Sequence, residues 1–347
     1  MPLPTLTPLV VRFGALGDMV LLIPMLKALR QRFGAPCELV SSGPWTPPLM
    51  QRVPACGPVH LLTSRRAPYL INPSQWRLVA ALRRRPAGPV YIFESDEKSH
   101  ALLRRGGVAA EWICSLRDLP RRPGEHIADH ALRLAQATPA ALRGSADFAV
   151  PAGPAPDPRP TLAEADRSDC AEWLARQGLD QSPLVLLQPG NKKTMRRGSR
   201  KRSSNVKYWP EDNWARVIQG VRQGLPQARV LICGSPAEGP LARDIRRRSG
   251  DDGVVDATAD LPLPRLLALQ ERAHSMISVD TGPAHSAAAL GCPLVVLFAS
   301  IDPQLYAPRT TTAPVRLIVA DSVRPATNLV AIPPETVIGT WRQLVGA

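Results

Sequence analysis

The stretch SVDTGPAHSAAALGCPLVVLF, residues 278–298, decides how this chain folds. An apolar run beginning at Ser275 ends at Asp280, and Thr281, Gly282 and Pro283 then turn the chain. An alanine-rich helix starts at once, and PLVVLFAS at 293–300 reads as the next buried strand. Strand, corner, helix and strand in so short a span make one unit of a parallel, doubly wound α/β sheet. The corner also carries chemistry. A helix N-terminus offers N–H groups and the positive dipole end to an anion, and Gly282 removes the side chain that would hold a phosphate off the backbone. His285 falls in the first helical turn, where it can face the same ligand. The other reading is a plain turn, with Thr281 capping the helix and His285 on the surface.

Working outward, the same alternation fills the C-terminal half. Strands are expected at 184–190, 228–234 and 254–258, and helices at about 161–178, 210–223, 237–249 and 263–273. The N-terminal half repeats the pattern, with strands at 8–13, 37–42 and 89–95 and helices at 19–33, about 74–85 and 126–138. Between the halves, PAGPAPDPRP (151–160) has five prolines in ten residues and cannot be regular structure. The expected organisation is a first domain over 1–150, a proline-rich linker over 151–160 and a second domain over 161–347. The final helix is expected to pack back on the first domain. Such sheets bind ligands at their carboxyl ends.

Composition narrows the partners. The 347 residues carry 43 Lys and Arg against 29 Asp and Glu, a net charge of +14, which favours an anionic partner: nucleic acid, an anionic membrane surface or a phosphorylated substrate. No apolar run approaches the roughly 20 residues of a membrane span, and MPLPTLTPLVV lacks the pattern of a secretory signal. The six cysteines stand singly, with no zinc spacing, as expected of reduced thiols in a cytoplasmic protein.

Three further corners hold candidate residues. FGALGD (13–18) is neither the dinucleotide fingerprint nor a P-loop, and it places Asp18 where a helix begins. Asp18 either caps that helix or serves as a catalytic acid or base. In LLQPGNKKTMRRGSRKRSSNVKYWPEDNW (186–214), eight lysines and arginines lie between Pro189 and Trp209 with no acid among them. This run is either a solvated loop or an anion-binding loop at a strand's carboxyl end. CGSPAEGP (233–240) holds Glu238, which either meets ribose hydroxyls or is an acid favoured by the helix dipole.

Taken together, these stretches resemble glycosyltransferase family 9, the ADP-heptose:lipopolysaccharide heptosyltransferases. The matching pieces are RFGALGDMVLLIPMLKALRQRFG, LLQPGN with KYWPEDNWARVI, VLICGSPAEGPLA and ISVDTGPAHSAAALGCPLVVLFASIDP, spanning about residues 9–308. The resemblance implies the GT-B architecture, two facing Rossmann-like doubly wound domains with an interdomain cleft. It implies an inverting, metal-independent transfer of a sugar, heptose from ADP-heptose, onto a lipopolysaccharide core or related glycan, without a cofactor. The donor is then a nucleotide sugar on the C-terminal half and the acceptor an anionic glycolipid or glycan on the N-terminal half. By the same resemblance Asp18 matches the general base, Lys207 the cation facing the donor phosphates, and Glu238 the ribose-contacting acid. Asp280 matches the acid on the donor sugar, and Thr281, Gly282 and His285 the diphosphate corner. One departure stands out: 16 residues separate Gly190 from Lys207, where the family has a short loop. Lys192, Lys193 and Thr194 in that insertion therefore join the donor-binding candidates. Peripheral contact with the cytoplasmic face of the inner membrane also follows from this reading. Two other readings stay open here, a GT-B nucleotide-sugar epimerase or hydrolase and a basic nucleic-acid-binding protein.

Overall fold

A computed structural model describes the chain except residues 1–4, 65–66, 192–193, 195–198, 300–301, 321–327 and 347. The chain divides into two compact units, Met1–Thr161 and Leu162–Ala347.

In the first unit the strands are β1 (Leu9–Val11), β2 (Cys37–Ser41), β3 (Cys56–Leu61), β4 (Val90–Ile92) and β5 (Ile113–Ser115). They pair in parallel in the order β3-β2-β1-β4-β5. The helices are α1 (Leu16–Phe33), α2 (Thr46–Met50), α3 (Pro73–Arg84), α4 (Glu97–Arg105) and α5 (Ile127–Gln136). All three residues of β1 are buried, as the continuous apolar run requires of a central parallel strand. α1 starts three residues before the expected Met19, because the turn at Gly14 and Ala15 already has Asp18 in its first helical turn. β3 was not expected at all. It carries Gly57 and Pro58, and it survives because it lies at the sheet edge, where a proline forfeits no ladder bond.

Residues 151–160 have no regular structure, as their prolines dictate. They lie along the first unit. Lys27 donates to Asp157 Oδ1 at 2.5 Å and to the Arg159 carbonyl at 2.8 Å, and the Thr161 N–H bonds the Arg52 carbonyl at 2.6 Å.

The second unit runs α6 (Glu164–Arg176), β6 (Leu184–Gln188), α7 (Glu211–Gly224), β7 (Arg229–Ile232), α8 (Gly239–Ser249), β8 (Val254–Asp256) and α9 (Leu263–Arg272). It continues with β9 (Ser275–Val279), α10 (Gly282–Leu290), β10 (Leu294–Phe298), α11 (Pro303–Tyr306), β11 (Val315–Val319) and α12 (Pro334–Val345). The six strands are parallel in the order β11-β10-β9-β6-β7-β8. β6, β9 and β10 are buried at every position. The closing helix α12, for which the sequence suggested a place on the first domain, packs against α7 and β10 of its own unit. Its Trp341 is fully buried and donates to Ser275 Oγ at 2.9 Å, so an apolar anchor holds it there.

These strand orders fix where a site can form. In each sheet the winding reverses once, between β1 and β4 in the first unit and between β6 and β9 in the second. At such a switch point the two flanking corners diverge, leaving a crevice beyond the carboxyl ends of the strands.

Candidate functional site

The corner after β1 sits at the first switch point. Asp18 occupies the first turn of α1, and its Oδ2 accepts the Ala15 N–H at 2.8 Å. The capping role inferred from sequence is therefore real. Its other oxygen takes a bond from Arg12 Nη2 at 2.7 Å. Arg12 also reaches Glu94 Oε1, at 3.4 Å, and lies 4.9 Å over the Phe93 ring. Glu94 in turn accepts the Phe13 N–H at 2.8 Å. Arg12 and Glu94 thus tie the corner after β1 to the corner after β4, and neither was singled out from the sequence. Gly14 is required on steric grounds, since a Cβ there would lie 2.4 Å from Asp18 Cβ. The Asp18 side chain keeps partial solvent access and holds lone pairs beyond those its two partners use. It can accept a proton from a hydroxyl that approaches it.

The second switch point gathers Lys207, Asp280, Thr281, Gly282 and His285. Asp280 follows β9 directly at 5 % exposure, and Lys207 Nζ donates to its carbonyl at 2.8 Å and to its carboxylate Oδ2. His285 Nε2 stands 3.9 Å from Asp280 Oδ1. The residue is buried, which overturns the surface reading of His285. Thr281 precedes α10 in extended conformation and makes no side-chain capping bond, so the capping alternative fails as well. Trp209 fixes the approach of Lys207. Its ring is buried edge-to-face on Trp214 with centroids 4.9 Å apart, and its Nε1 bonds the Ile332 carbonyl at 3.0 Å.

Glu238 lies after β7, the neighbour of β6, at 8 % exposure. Oε2 accepts both the N–H and the hydroxyl of Ser235 at 2.8 Å. Oε1 has no hydrogen-bond partner among the described residues, and a Cβ at Gly190 would lie 2.1 Å from it. Gly190 is therefore a glycine because the carboxylate needs its space. Burial pushes the Glu238 carboxyl above its ordinary value, only partly opposed by the Ser235 bonds. A buried carboxyl with one oxygen unpaired is suited to accept from a ligand hydroxyl.

The basic insertion departs from its sequence reading in two respects. Thr194, a candidate for the donor, is buried, and its hydroxyl oxygen accepts the Asn191 N–H at 2.9 Å and Asn205 Nδ2 at 3.2 Å. It closes the base of the loop. Arg202, counted with the free cations, is paired instead with Glu211 and Asp244, each at 2.7 Å. Tyr208 bonds the same Glu211 at 2.7 Å, and burial together with that carboxylate pushes its phenol up to about 12. The partners of Arg202 stand nine and 42 positions downstream, so the uninterrupted charge run hid them. Lys192 and Lys193 lie outside the described residues.

Comparison with known proteins follows the same lines. Residues 162–321 match the model of glycosyltransferase family 9 (heptosyltransferase). Over 105 residues the chain is 32% identical to lipopolysaccharide heptosyltransferase 3 of Escherichia coli strain K12, a stretch that spans 30% of this chain and 30% of that relative. Among solved structures, the family 9 glycosyl transferase from Veillonella parvula superposes with a TM-score of 0.76 at 18% identity, covering 99% of this chain and 98% of that one. E. coli heptosyltransferase WaaC with ADP gives 0.70 at 18% identity, over 97% and 99%. These likenesses across the whole chain assign the fold, a two-domain Rossmann-like GT-B architecture.

Proposed function

We propose that this chain, whose second unit belongs to glycosyltransferase family 9, transfers a sugar from a nucleoside diphosphate to a hydroxyl of a lipopolysaccharide-type acceptor. The observation that carries the reading is the Lys207–Asp280–His285 cluster beside the Thr281–Gly282 corner, at the switch point of the family-matched unit. A diphosphate placed on the amino end of α10 meets backbone N–H groups and the Lys207 amine. As the bond from the sugar's anomeric carbon to the diphosphate breaks, that amine and helix end stabilise the departing charge, the part a divalent cation plays in other transferases. Glu238 Oε1 accepts a ribose hydroxyl, and Asp280 orients the sugar.

Asp18 of the first unit takes the acceptor's proton while the acceptor oxygen attacks, so the product is inverted at that carbon. Charge builds on the sugar ring before the proton leaves, so a carboxylate suffices as base. ADP-heptose is the donor this reading favours, since the family match and the heptosyltransferase relatives point the same way. The family match also ranks transfer above epimerisation or hydrolysis of the donor. The pairing of Arg202 with Glu211 and Asp244 weakens the nucleic-acid reading of the insertion.

The test is a thermal-shift screen of ADP-, GDP-, UDP- and dTDP-sugars, followed by transfer assays on Asp18→Asn. One nucleotide series should raise the melting temperature, and Asp18→Asn should keep that shift while losing at least about 10²-fold in turnover. Wild-type turnover by the variant removes Asp18 as the base. Full-rate donor hydrolysis without acceptor replaces transfer with hydrolysis.

A further inference from the structure

At the entry to α3 three polar side chains are buried while three large apolar ones face solvent. Asn72, Ser74 and Gln75 are all buried. Asn72 caps α3 and donates to the Ser64 carbonyl at 2.5 Å, while Gln75 Nε2 holds the Ser64 and Ala67 carbonyls at 3.0 and 3.1 Å. The Thr63 N–H bonds Ser74 Oγ at 3.2 Å. On the outside stand Leu70 at 81 %, Ile71 at 71 % and Trp76 at 45 % exposure, the first two the most exposed large apolar side chains among the described residues. Trp76 Nε1 donates to the Tyr69 carbonyl at 2.7 Å, so the indole is fastened to the same loop. Folding alone favours the opposite arrangement, and a hydrogen-bonded scaffold that displays leucine, isoleucine and tryptophan marks a surface made for contact.

The surrounding charge identifies the contact. From residue 39 to 93 the sequence holds seven arginines, no lysine and no acid. Arg105 stacks on the Tyr69 ring at 4.6 Å, Arg83 Nε reaches the Arg105 carbonyl at 3.3 Å, and Arg77 follows Trp76 on the exposed side of α3. An apolar tip with a rim of arginines fits a surface that is anionic outside and apolar just beneath. A second copy of the chain fits poorly, because in a two-fold contact these arginines would face one another. Among the described residues no helix is long and apolar enough to cross a membrane.

We propose that Leu70, Ile71 and Trp76, rimmed by Arg77, Arg83 and Arg105, form a docking surface that inserts into the headgroup layer of an anionic lipid membrane. The surface stands without the transfer reading. Its bearing on catalysis rests on that reading: the β3–α3 connection leaves the carboxyl edge of the first sheet, as does the corner that carries Asp18.

The experiment is co-sedimentation of the full chain with sugar-free phosphatidylglycerol/phosphatidylethanolamine vesicles, against phosphatidylcholine vesicles as control. Binding should require the anionic lipid and should fall at least about tenfold in Leu70→Ser/Ile71→Ser. Arg77→Gln/Arg105→Gln should lose about fivefold per arginine at low salt. A brominated lipid should quench wild-type tryptophan emission more than that of Trp76→Phe. All these side chains are exposed, so unchanged melting temperatures verify the fold of each variant. Equal vesicle binding by Leu70→Ser/Ile71→Ser overturns the insertion. So does a concentration-dependent dimer that the same variant abolishes, or oligonucleotide binding with no vesicle binding. Because the vesicles hold no acceptor, a chain that ignores them but still transfers to a soluble acceptor loses only this proposal.

Discussion

Lys207→Ala separates the two roles that the Lys207–Asp280 pair is assigned. In the folded chain the Asp280 side chain is 7% exposed and the Lys207 side chain 22%, and the amine also bonds the Asp280 carbonyl at 2.8 Å. Removing the cation leaves a buried carboxylate with the His285 imidazole 3.9 Å away. Breaking a buried pair from one side costs about 3–5 kcal/mol, and the partial exposure of Lys207 argues for the lower end, about 3 kcal/mol. For a unit of this size that lowers the melting temperature by about 6–12 °C. Lys207→Ala/Asp280→Asn removes the stranded charge as well and should recover most of the loss. Nucleotide binding should not recover. At a donor concentration of about 100 Kd the ligand stabilises the wild type by about 2.7 kcal/mol, and a hundredfold loss of affinity leaves about 0.4 kcal/mol. Differential scanning fluorimetry with and without nucleotide reads both quantities. A Lys207→Ala variant that melts within about 1 °C of wild type would refute the buried pair, and one that keeps the full nucleotide shift would refute the phosphate role.

Three other substitutions probe the remaining parts. Burial raises the Glu238 carboxyl above its ordinary value of 4.5, so its charged form destabilises the fold. That penalty is absent below the unfolded value and grows as pH rises through the folded one. Glu238→Gln should therefore melt higher than wild type at pH 8, with the gap closing toward pH 4, while donor affinity falls; a gap independent of pH would contradict the burial argument. In Gly14→Ala the new Cβ lies 2.4 Å from Asp18 Cβ, so the first unit should lose about 1–3 kcal/mol by denaturant unfolding and transfer should collapse with nucleotide binding intact. Arg202→Met leaves the buried Glu211 without its guanidinium partner and should cost about 3 kcal/mol, with faster proteolysis inside the insertion. Arg202→Lys should not restore it, because one amine cannot span Glu211 and Asp244 as the planar fork does, and full recovery in that variant would count against the clasp.

Much of this architecture was legible in residue order. The buried strands at 184–188, 275–279 and 294–298 are apolar runs interrupted only by Gln188, Ser275 and Ser278, and each central corner advertises itself by glycine or proline. Edge strands were harder. β3 contains Gly57 and Pro58, and β11 exposes Arg316 and Leu317, so neither shows the buried run that marks a central strand. The site residues divide in the same way. Asp18 reads as a helix-start acid because Ala15 is three residues away. Arg12 and Glu94, 82 positions apart, could be joined only by the pairing of β1 with β4.

By itself the sequence determined the two series of strand–corner–helix units, because hydrophobic periodicity and glycine turns act over a few residues. It also determined which residue types stand at each corner. Tertiary structure alone decided the order of the strands and hence the switch points, since parallel pairing is long-range and no local pattern encodes a neighbour. That order sets Lys207 against Asp280 across 73 positions and turns Glu238 toward Gly190. It also spends the charge of Arg202 within the fold and faces Leu70 and Ile71 outward. Ion pairs and burial are properties of neighbours in space, and the fold chooses those neighbours.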